Sequence, residues 1–104
     1  MIAIRNDSLR PRFPLGQLLA TPGACDAITK AGQSPGEFLA RHAGCDWGEL
    51  CDDDKALNEA ALLDGSRLLS AYRTANDVRI WIITEAADEN GDRICTTIIR
   101  PEEY

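Results

Sequence analysis

The sequence contains few aromatic residues, a single histidine and no long apolar run. Aromatic residues make up 6% of the 104 residues, and His42 is the only histidine. No stretch approaches the roughly 20 apolar residues that a membrane-spanning helix needs, and residues 1–12 lack the apolar core of a signal peptide. We therefore expect a cytoplasmic protein that has no membrane partner.

Positive charge is also scarce. The chain has 11 Lys and Arg residues against 17 Asp and Glu residues, so its formal net charge is −6. An acidic protein repels phosphate backbones and anionic lipid before contacts can form. We therefore expect no direct binding to nucleic acid. If the chain has a protein partner, we expect that partner to present a basic surface.

The four cysteines include no closely spaced pair. Because the cytoplasm keeps thiols reduced, they are interpreted as free thiols or metal ligands. A zinc site could use His42, Cys45 and Cys51. Its fourth ligand would have to come from Cys25 or Cys95, which are distant in the sequence. Structural zinc sites usually contain close ligand pairs, so the spacing favours thiols without metal, and we expect no cofactor.

The length of the chain predicts one domain, because two shorter halves would each have too little surface to bury. Residues 1–12 show no sustained apolar period and are predicted to form an arm or a short strand. Residues 13–104 are predicted to form a single α+β domain. Within it, residues 13–20 carry apolar side chains at alternate positions, but Pro14 cannot donate to a sheet ladder, which restricts any pairing to a sheet edge. This segment is predicted to be a short edge strand or an extended packing segment.

Two segments that begin with proline predict the first two helices. Thr21 and Ser34 each precede a proline, and a capping oxygen followed by proline is a typical helix start. Ser34 and Glu37 also have the spacing of a capping box. Apolar residues then recur at helical spacing up to a glycine, which predicts helices over residues 22–31 and 35–43.

A third helix is predicted to begin at Asp52–Asp54. Three carboxylates in the first turn complement the positive end of the helix dipole. Gly65 is suited to end the helix in the left-handed conformation. Its predicted buried face consists of Ala56, Leu57, Ala60, Ala61 and Leu63.

From residue 67 onward the apolar pattern becomes that of strands. Segments 67–74, 78–86 and 92–100 are rich in β-branched residues and are separated by turn-forming residues. The middle segment is apolar on both faces and is predicted to be the central strand. The predicted fold is therefore α+β: an N-terminal extended segment, then three short helices followed by a three-stranded antiparallel β-meander.

Hydroxyl groups gather on one face of this predicted sheet. Alternation places Ser70 and Tyr72 on the same face of the first strand, and Thr84 of the next strand can join them across the hairpin. The ordinary interpretation is a sheet face that meets water.

The segment from His42 to Asp54 concentrates the reactive side chains. It holds the histidine, a tryptophan, two cysteines and five carboxylates. Since carboxylates beside a histidine can hold a divalent ion or activate water, an active site would use His42, Asp46 and Glu49. In the alternative interpretation, Asp52–Asp54 are helix-start charges and His42 is a half-buried histidine that donates to a carbonyl.

The same segment could instead form a docking surface, because its carboxylates would attract a basic partner. Trp47 lies between two glycines, which allows the ring to turn either inward or outward. Burial in the core is favoured, since a large aromatic side chain buries much apolar area. An oligomer is compatible with this interpretation. The predicted binding residues are Asp46, Trp47, Glu49, Asp52, Asp53 and Asp54.

Several motifs extend from Phe13 to the C terminus: FPLGQLLATPGA, H-x-x-x-D-W-G at 42–48, Asp54, Asn58, RLLSAYRT, IWIITEA and TTIIRPEEY. Together they resemble a family of small bacterial proteins found on plasmids and other mobile elements and commonly labelled plasmid-related. The resemblance implies a mobile-element setting and no particular reaction. The chain departs from this pattern at Cys45, where such proteins usually carry glycine, and in residues 85–93, where its turn is longer.

The favoured function is a small, acidic, non-enzymatic interaction module of a mobile genetic element. Such a module would be an accessory or anti-defence protein that binds a basic protein surface. The alternative is a small nuclease-like or toxin-like hydrolase that uses His42 and the nearby carboxylates.

Overall fold

The computed structural model describes residues 1–5 and 9–104. Within these ranges the chain forms three α-helices, five strands and a 3₁₀ turn at Pro101–Glu103. None of the described helices is long and apolar enough to cross a membrane. The helices are α1 (Pro22–Lys30), α2 (Pro35–Ala43) and α3 (Asp52–Asp64). The strands are β1 (Ile2–Ala3), β2 (Gln17–Ala20), β3 (Leu68–Arg73), β4 (Arg79–Thr84) and β5 (Cys95–Ile99).

The strands form one mixed sheet in the order β1-β2-β5-β4-β3. Strands β3, β4 and β5 pair antiparallel in chain order, whereas β2 pairs parallel to β5. The prediction of a three-stranded antiparallel meander is therefore wrong, because β2 and β1 extend the sheet beyond β5. A parallel pair needs a long connection, and here all three helices and two strands lie between its members in the chain.

Strand β2 lies inside the sheet, between β1 and β5, so the prediction of an edge strand is also wrong. Pro14 precedes β2, which begins at Gln17, and its missing amide therefore costs no ladder hydrogen bond. The predicted N-terminal arm contributes β1, in which Ile2 is paired with Ala20. Residues 6–8 of that arm lie outside the described residues.

One face of the sheet, called the inner face, is buried beneath the helices. Helix α2 packs on it, with the ring of Phe38 5.9 Å from that of Tyr72 and with His42 beside Ser70. On the opposite face most side chains are partly exposed, although Ile83 is buried. The buried inner-face residues are Leu18, Ala20, Leu68, Ser70, Tyr72, Ile80, Ile82, Thr84, Thr96 and Ile98.

The first two helices begin where the sequence predicts, but one predicted cap does not form. At α1, the Thr21 hydroxyl oxygen accepts a hydrogen bond from the Ala24 amide at 3.1 Å. At α2, the Ser34 side chain makes no capping hydrogen bond within the described chain. The carboxylate of Glu37 instead accepts a hydrogen bond from the Gln33 side chain at 2.7 Å, so the predicted capping box is wrong.

The predicted buried face of α3 is largely wrong. Of its five predicted residues only Ala61 is buried, and Leu57 and Leu63 are 67% and 91% exposed. The helix instead turns Asn58 and Ala61 inward. Asn58 makes two hydrogen bonds to the backbone of β3, and these bonds fix the rotation of the helix about its own axis.

Candidate functional site

His42 lies in the core and is fully buried. Its Nδ1 atom lies 2.5 Å from the hydroxyl oxygen of Ser70, and its Nε2 atom lies 2.8 Å from that of Thr84. The imidazole ring makes edge contacts with Phe13 and Trp47, at centroid distances of 5.4 and 5.8 Å. Both ring nitrogens are therefore engaged by hydroxyl groups from β3 and β4.

The direction of these hydrogen bonds assigns the proton on His42. The carbonyl oxygen of Leu15 can only accept, so the Thr96 hydroxyl donates to it at 2.7 Å. Thr96 must then accept from the Thr84 hydroxyl, which lies 2.7 Å away. Thr84 in turn accepts from Nε2–H of His42, which leaves Nδ1 to accept from Ser70. His42 is therefore the Nε2–H tautomer in a continuous buried hydrogen-bond chain.

Burial lowers the pKa of His42 to about 3, so the ring is neutral at physiological pH. The hypothesis of an active site built from His42, Asp46 and Glu49 requires these groups to meet. In the structure His42 is bonded to hydroxyls inside the core, while the two carboxylates are exposed and bonded to arginines. The three candidate catalytic residues do not form one site.

Asp46 organises the turn that follows α2. Its carboxylate accepts from Arg41 Nε at 2.7 Å and from the Gly48 amide at 3.1 Å, and its carbonyl oxygen accepts from the Tyr72 hydroxyl. The hydrogen bond from Arg41 lowers the pKa of Asp46. The guanidinium of Arg41 also lies 4.4 Å from the centre of the Tyr72 ring. These contacts give Asp46 a structural role.

Trp47 and Gly48 attach this turn to the sheet. Trp47 is 5% exposed and its indole N–H donates to Glu59 at 2.7 Å, which agrees with the core interpretation and leaves little of the ring for a partner. Gly48 has φ +74°, and a Cβ there would collide with the carbonyl oxygen of Ala71. The Glu49 amide donates to that oxygen at 2.7 Å, and the Ala71 amide donates to the Trp47 carbonyl.

The carboxylate of Glu49 accepts from Arg73 Nε at 2.8 Å, and Arg73 also pairs with Asp77. Two of the five carboxylates in the candidate segment, those of Asp46 and Glu49, therefore have a neighbouring arginine. The other three, Asp52–Asp54, are exposed and have no ion-pair partner in the described part of the chain.

Asn58 is a structural residue whose role the sequence analysis missed, although it is part of a quoted motif. Its side-chain nitrogen donates to the Leu69 carbonyl at 2.7 Å, and its oxygen accepts from the Leu69 amide at 3.2 Å. The side chain thus replaces a neighbouring strand along the edge of β3. The sequence does contain a signal for this role, because Asn58 is a polar residue inside an otherwise apolar helical pattern.

The hypothetical zinc site is not assembled from the described residues, among which no three His, Cys, Asp or Glu side chains are close enough to hold a metal. All four cysteines, which lie in these ranges, are free thiols. Burial raises the pKa of Cys25 and Cys45. Cys45 has φ +65°, a left-handed conformation that glycine adopts at no steric cost.

The surface of α3 is the remaining part of the candidate region. Leu57 and Leu63 expose most of their side chains there, on the helix that starts with Asp52–Asp54. Monomeric proteins often expose single leucines, but a helix face that combines several apolar residues with unpaired charge is typical of an interaction surface.

No protein-family model matches this chain, and no curated protein or solved structure matches it significantly. The resemblance to plasmid-related proteins therefore stays a prediction.

Proposed function

We propose that this chain is a non-catalytic, acidic interaction domain that acts in the cytoplasm and binds a basic protein surface through α3. The observation that carries the proposal is the exposure of Leu57 and Leu63, at 67% and 91%, on a helix that begins with three aspartates that have no ion-pair partner among residues 1–5 and 9–104. The partner would present basic side chains around an apolar patch. The α3 docking face, as we name it, consists of Asp52, Asp53, Ala56, Leu57, Ala60 and Leu63, and Asp54 adds its charge to the first turn of the same helix.

Helix geometry brings the apolar residues of this face together. Ala56, Ala60 and Leu63 are spaced i, i+4 and i+7 and therefore line one side of the helix. Small alanines let a partner approach the backbone closely, while the leucines supply the apolar area. Asp52 and Asp53 border the same side of the helix. Their charge would accelerate association with a basic partner through long-range attraction.

The proposed face retains only part of the docking surface expected from the sequence. Asp46 and Glu49 are engaged by Arg41 and Arg73, and Trp47 is almost fully buried. A partner would have to compete with those ion pairs, so the three are left out of the face. Asp52–Asp54 remain because no neighbouring cation engages them within the described residues.

The alternative hydrolase hypothesis loses support because its histidine is sealed from solvent. No substrate can reach an imidazole that is fully buried and bonded at both nitrogens. The mobile-element setting, with an accessory or anti-defence role, remains part of the proposal and rests on the sequence resemblance. The four free thiols suit the reducing cytoplasm.

Affinity capture from host-cell lysate, followed by mass spectrometry, tests the proposal when variants are compared. We expect wild-type protein to capture a basic protein, and both Leu57→Ser/Leu63→Ser and Asp52→Asn/Asp53→Asn/Asp54→Asn to lose it. Matched controls are Ile94→Ser, which changes another exposed apolar residue, and Asp26→Asn, which removes a charge from α1. Equal capture by the wild type and both α3 variants would contradict the proposal.

A further inference from the structure

A groove of about 330 Å³ lies between the C-terminal end of α3 and the turn that joins β4 to β5. Its apolar lining includes Leu62, Leu63 and Phe13. Leu63 is almost fully exposed, whereas Phe13 is buried and packs against His42, so the apolar lining joins an exposed side chain to the core. Three carboxylates also line the groove: Asp64, Asp88 and Glu89.

The net charge of the groove is negative because three carboxylates outnumber its one basic side chain within the described residues, that of Arg93. Arg93 is buried, and its guanidinium donates to the carbonyl oxygens of Ser66 at 2.7 Å, Glu85 at 3.0 Å and Ala61 at 3.1 Å. Hydrogen bonds from Ser66 lower the pKa of Asp64, which keeps that carboxylate ionised. Glu89 makes no ion pair or hydrogen bond with any described residue.

We propose that this groove receives one arginine side chain of the protein partner, as the anchor of the interaction made by the α3 docking face. The inference therefore rests on the proposed function. The aliphatic stem of an arginine would cover Leu62 and Leu63, and its planar guanidinium would meet the carboxylates at the rim. An apolar floor beneath an acidic rim complements the two parts of that side chain.

The groove is large enough to hold one side chain. Sites that enclose whole small molecules usually have volumes of ~300–1,000 Å³. At about 330 Å³ this groove is at the lower limit of that range. Leu63 belongs both to the groove and to the α3 docking face, so an arginine seated here would be continuous with the rest of the contact.

The test uses n-butylguanidinium, which has the chemistry of an arginine side chain without its backbone. The probe is titrated into the full-length protein at constant ionic strength and followed by amide NMR. We expect saturable shifts at Gly65, Ala87 and Gly91, which line the groove, with a Kd of about 1–10 mM for so small a ligand. Guanidinium chloride alone and n-butanol alone should each bind more weakly, because the first lacks the aliphatic chain and the second lacks the cationic group.

Two exposed substitutions test the two parts of the groove. Leu63→Ser and Glu89→Gln should each raise the Kd at least about threefold, and the double variant should abolish saturation. Since both side chains are exposed, neither substitution is expected to unfold the protein. Asp26→Asn and Ile94→Ser change exposed residues outside both the groove and the α3 docking face, and should leave the Kd unchanged.

Non-saturable shifts, shifts confined to other surfaces, or equal binding by the double variant would each overturn the inference. The probe needs no partner protein, so its failure is separate from failure of the proposed function. If lysate capture depends on α3 while n-butylguanidinium does not bind the groove, the docking face stands and the arginine anchor is wrong. If the probe binds as expected and capture fails, the groove stands and the proposed function is wrong.

Discussion

Asn58 of α3 is hydrogen-bonded through both side-chain amide atoms to the backbone of Leu69 in β3, at 2.7 and 3.2 Å. This pair of bonds closes part of one edge of the sheet and sets the rotation of α3. With roughly 100° of rotation per residue, Leu57 and Leu63 lie about 100° and 140° around the helix from Asn58, in opposite directions, so both point away from the sheet. One buried polar residue thus directs two leucines toward solvent.

The first prediction concerns Asn58 itself. Asn58→Ala removes both partners of Leu69, so we expect the free energy of unfolding to fall by about 1–3 kcal/mol. Asn58→Asp should also destabilise, because a carboxylate cannot donate to the carbonyl of Leu69. Urea denaturation measures both effects. Asn90→Ala, in an exposed turn, is the control and should change stability by less than about 0.5 kcal/mol. If the substitutions at positions 58 and 90 changed stability equally, the hydrogen bonds of Asn58 would not stabilise the edge of β3.

The second prediction compares two glycines. Gly48→Ala should destabilise by at least about 2 kcal/mol, because φ is +74° and the new methyl group would collide with the Ala71 carbonyl. Gly36→Ala, in α2, meets no described atom within 4 Å and should be neutral or stabilising by up to about 1 kcal/mol. Thermal or chemical denaturation of both variants measures the contrast. If Gly48→Ala had little effect on stability, residues 47–49 could not lie as close to β3 as the structure places them.

The third prediction concerns the pH dependence that His42 gives to stability. The pKa of His42 is about 3 in the folded protein against an ordinary value of 6.5. Below pH 6.5 His42 binds a proton in the unfolded chain but stays neutral in the folded protein, so the free energy of unfolding falls as pH falls toward 3. The slope approaches about 1.4 kcal/mol per pH unit, which amounts to about 2 kcal/mol between about pH 7.5 and about pH 5.

Comparison with His42→Gln isolates this contribution, because the carboxylates titrate in both proteins. The difference in unfolding free energy between wild type and variant should shrink by about 2 kcal/mol over that pH range. In wild-type protein, the His42 ring resonances should stay constant from about pH 8 to about pH 5. Titration of the ring with a midpoint near 6.5 would show that His42 is open to solvent, and it would revive the catalytic hypothesis.

The fourth prediction tests the sheet. Ile82→Ala should destabilise by about 2–5 kcal/mol, since Ile82 is fully buried on β4 between β3 and β5. Ile94→Ala is the matched control, because its side chain is 78% exposed, and it should have little effect. If both variants changed the denaturation midpoint by an equally small amount, the result would be incompatible with this sheet order.

Local signals in the sequence predicted the helices well. Helix α1 was predicted over residues 22–31 and runs from Pro22 to Lys30, because a cap, a proline and a glycine act within a few residues of each other. The strands of the hairpins were also recognisable from their alternation. The parallel pairing of β2 with β5 was not, because the partners are far apart in the chain and no local pattern specifies such a register.

The arrangement of the candidate residues could not be predicted from the sequence for a similar reason. The spacing of apolar residues on α3 predicted that Leu57 and Leu63 are core residues. The hydrogen bonds of Asn58 with Leu69 instead rotate the helix so that both leucines are exposed. His42 looked reactive because acidic residues surround it in sequence. In space its partners are hydroxyls of Ser70 and Thr84, which come from strands well beyond the segment.

The central claim is that the α3 docking face, and not His42, carries the function. Its most direct test is the association rate with the captured partner, measured by stopped flow from about 0.05 to about 0.5 M NaCl. We predict that the wild-type rate falls roughly tenfold or more as salt screens the attraction, and that Asp52→Asn/Asp53→Asn/Asp54→Asn removes most of this dependence. A rate that is independent of salt and unchanged in the triple variant would contradict the account.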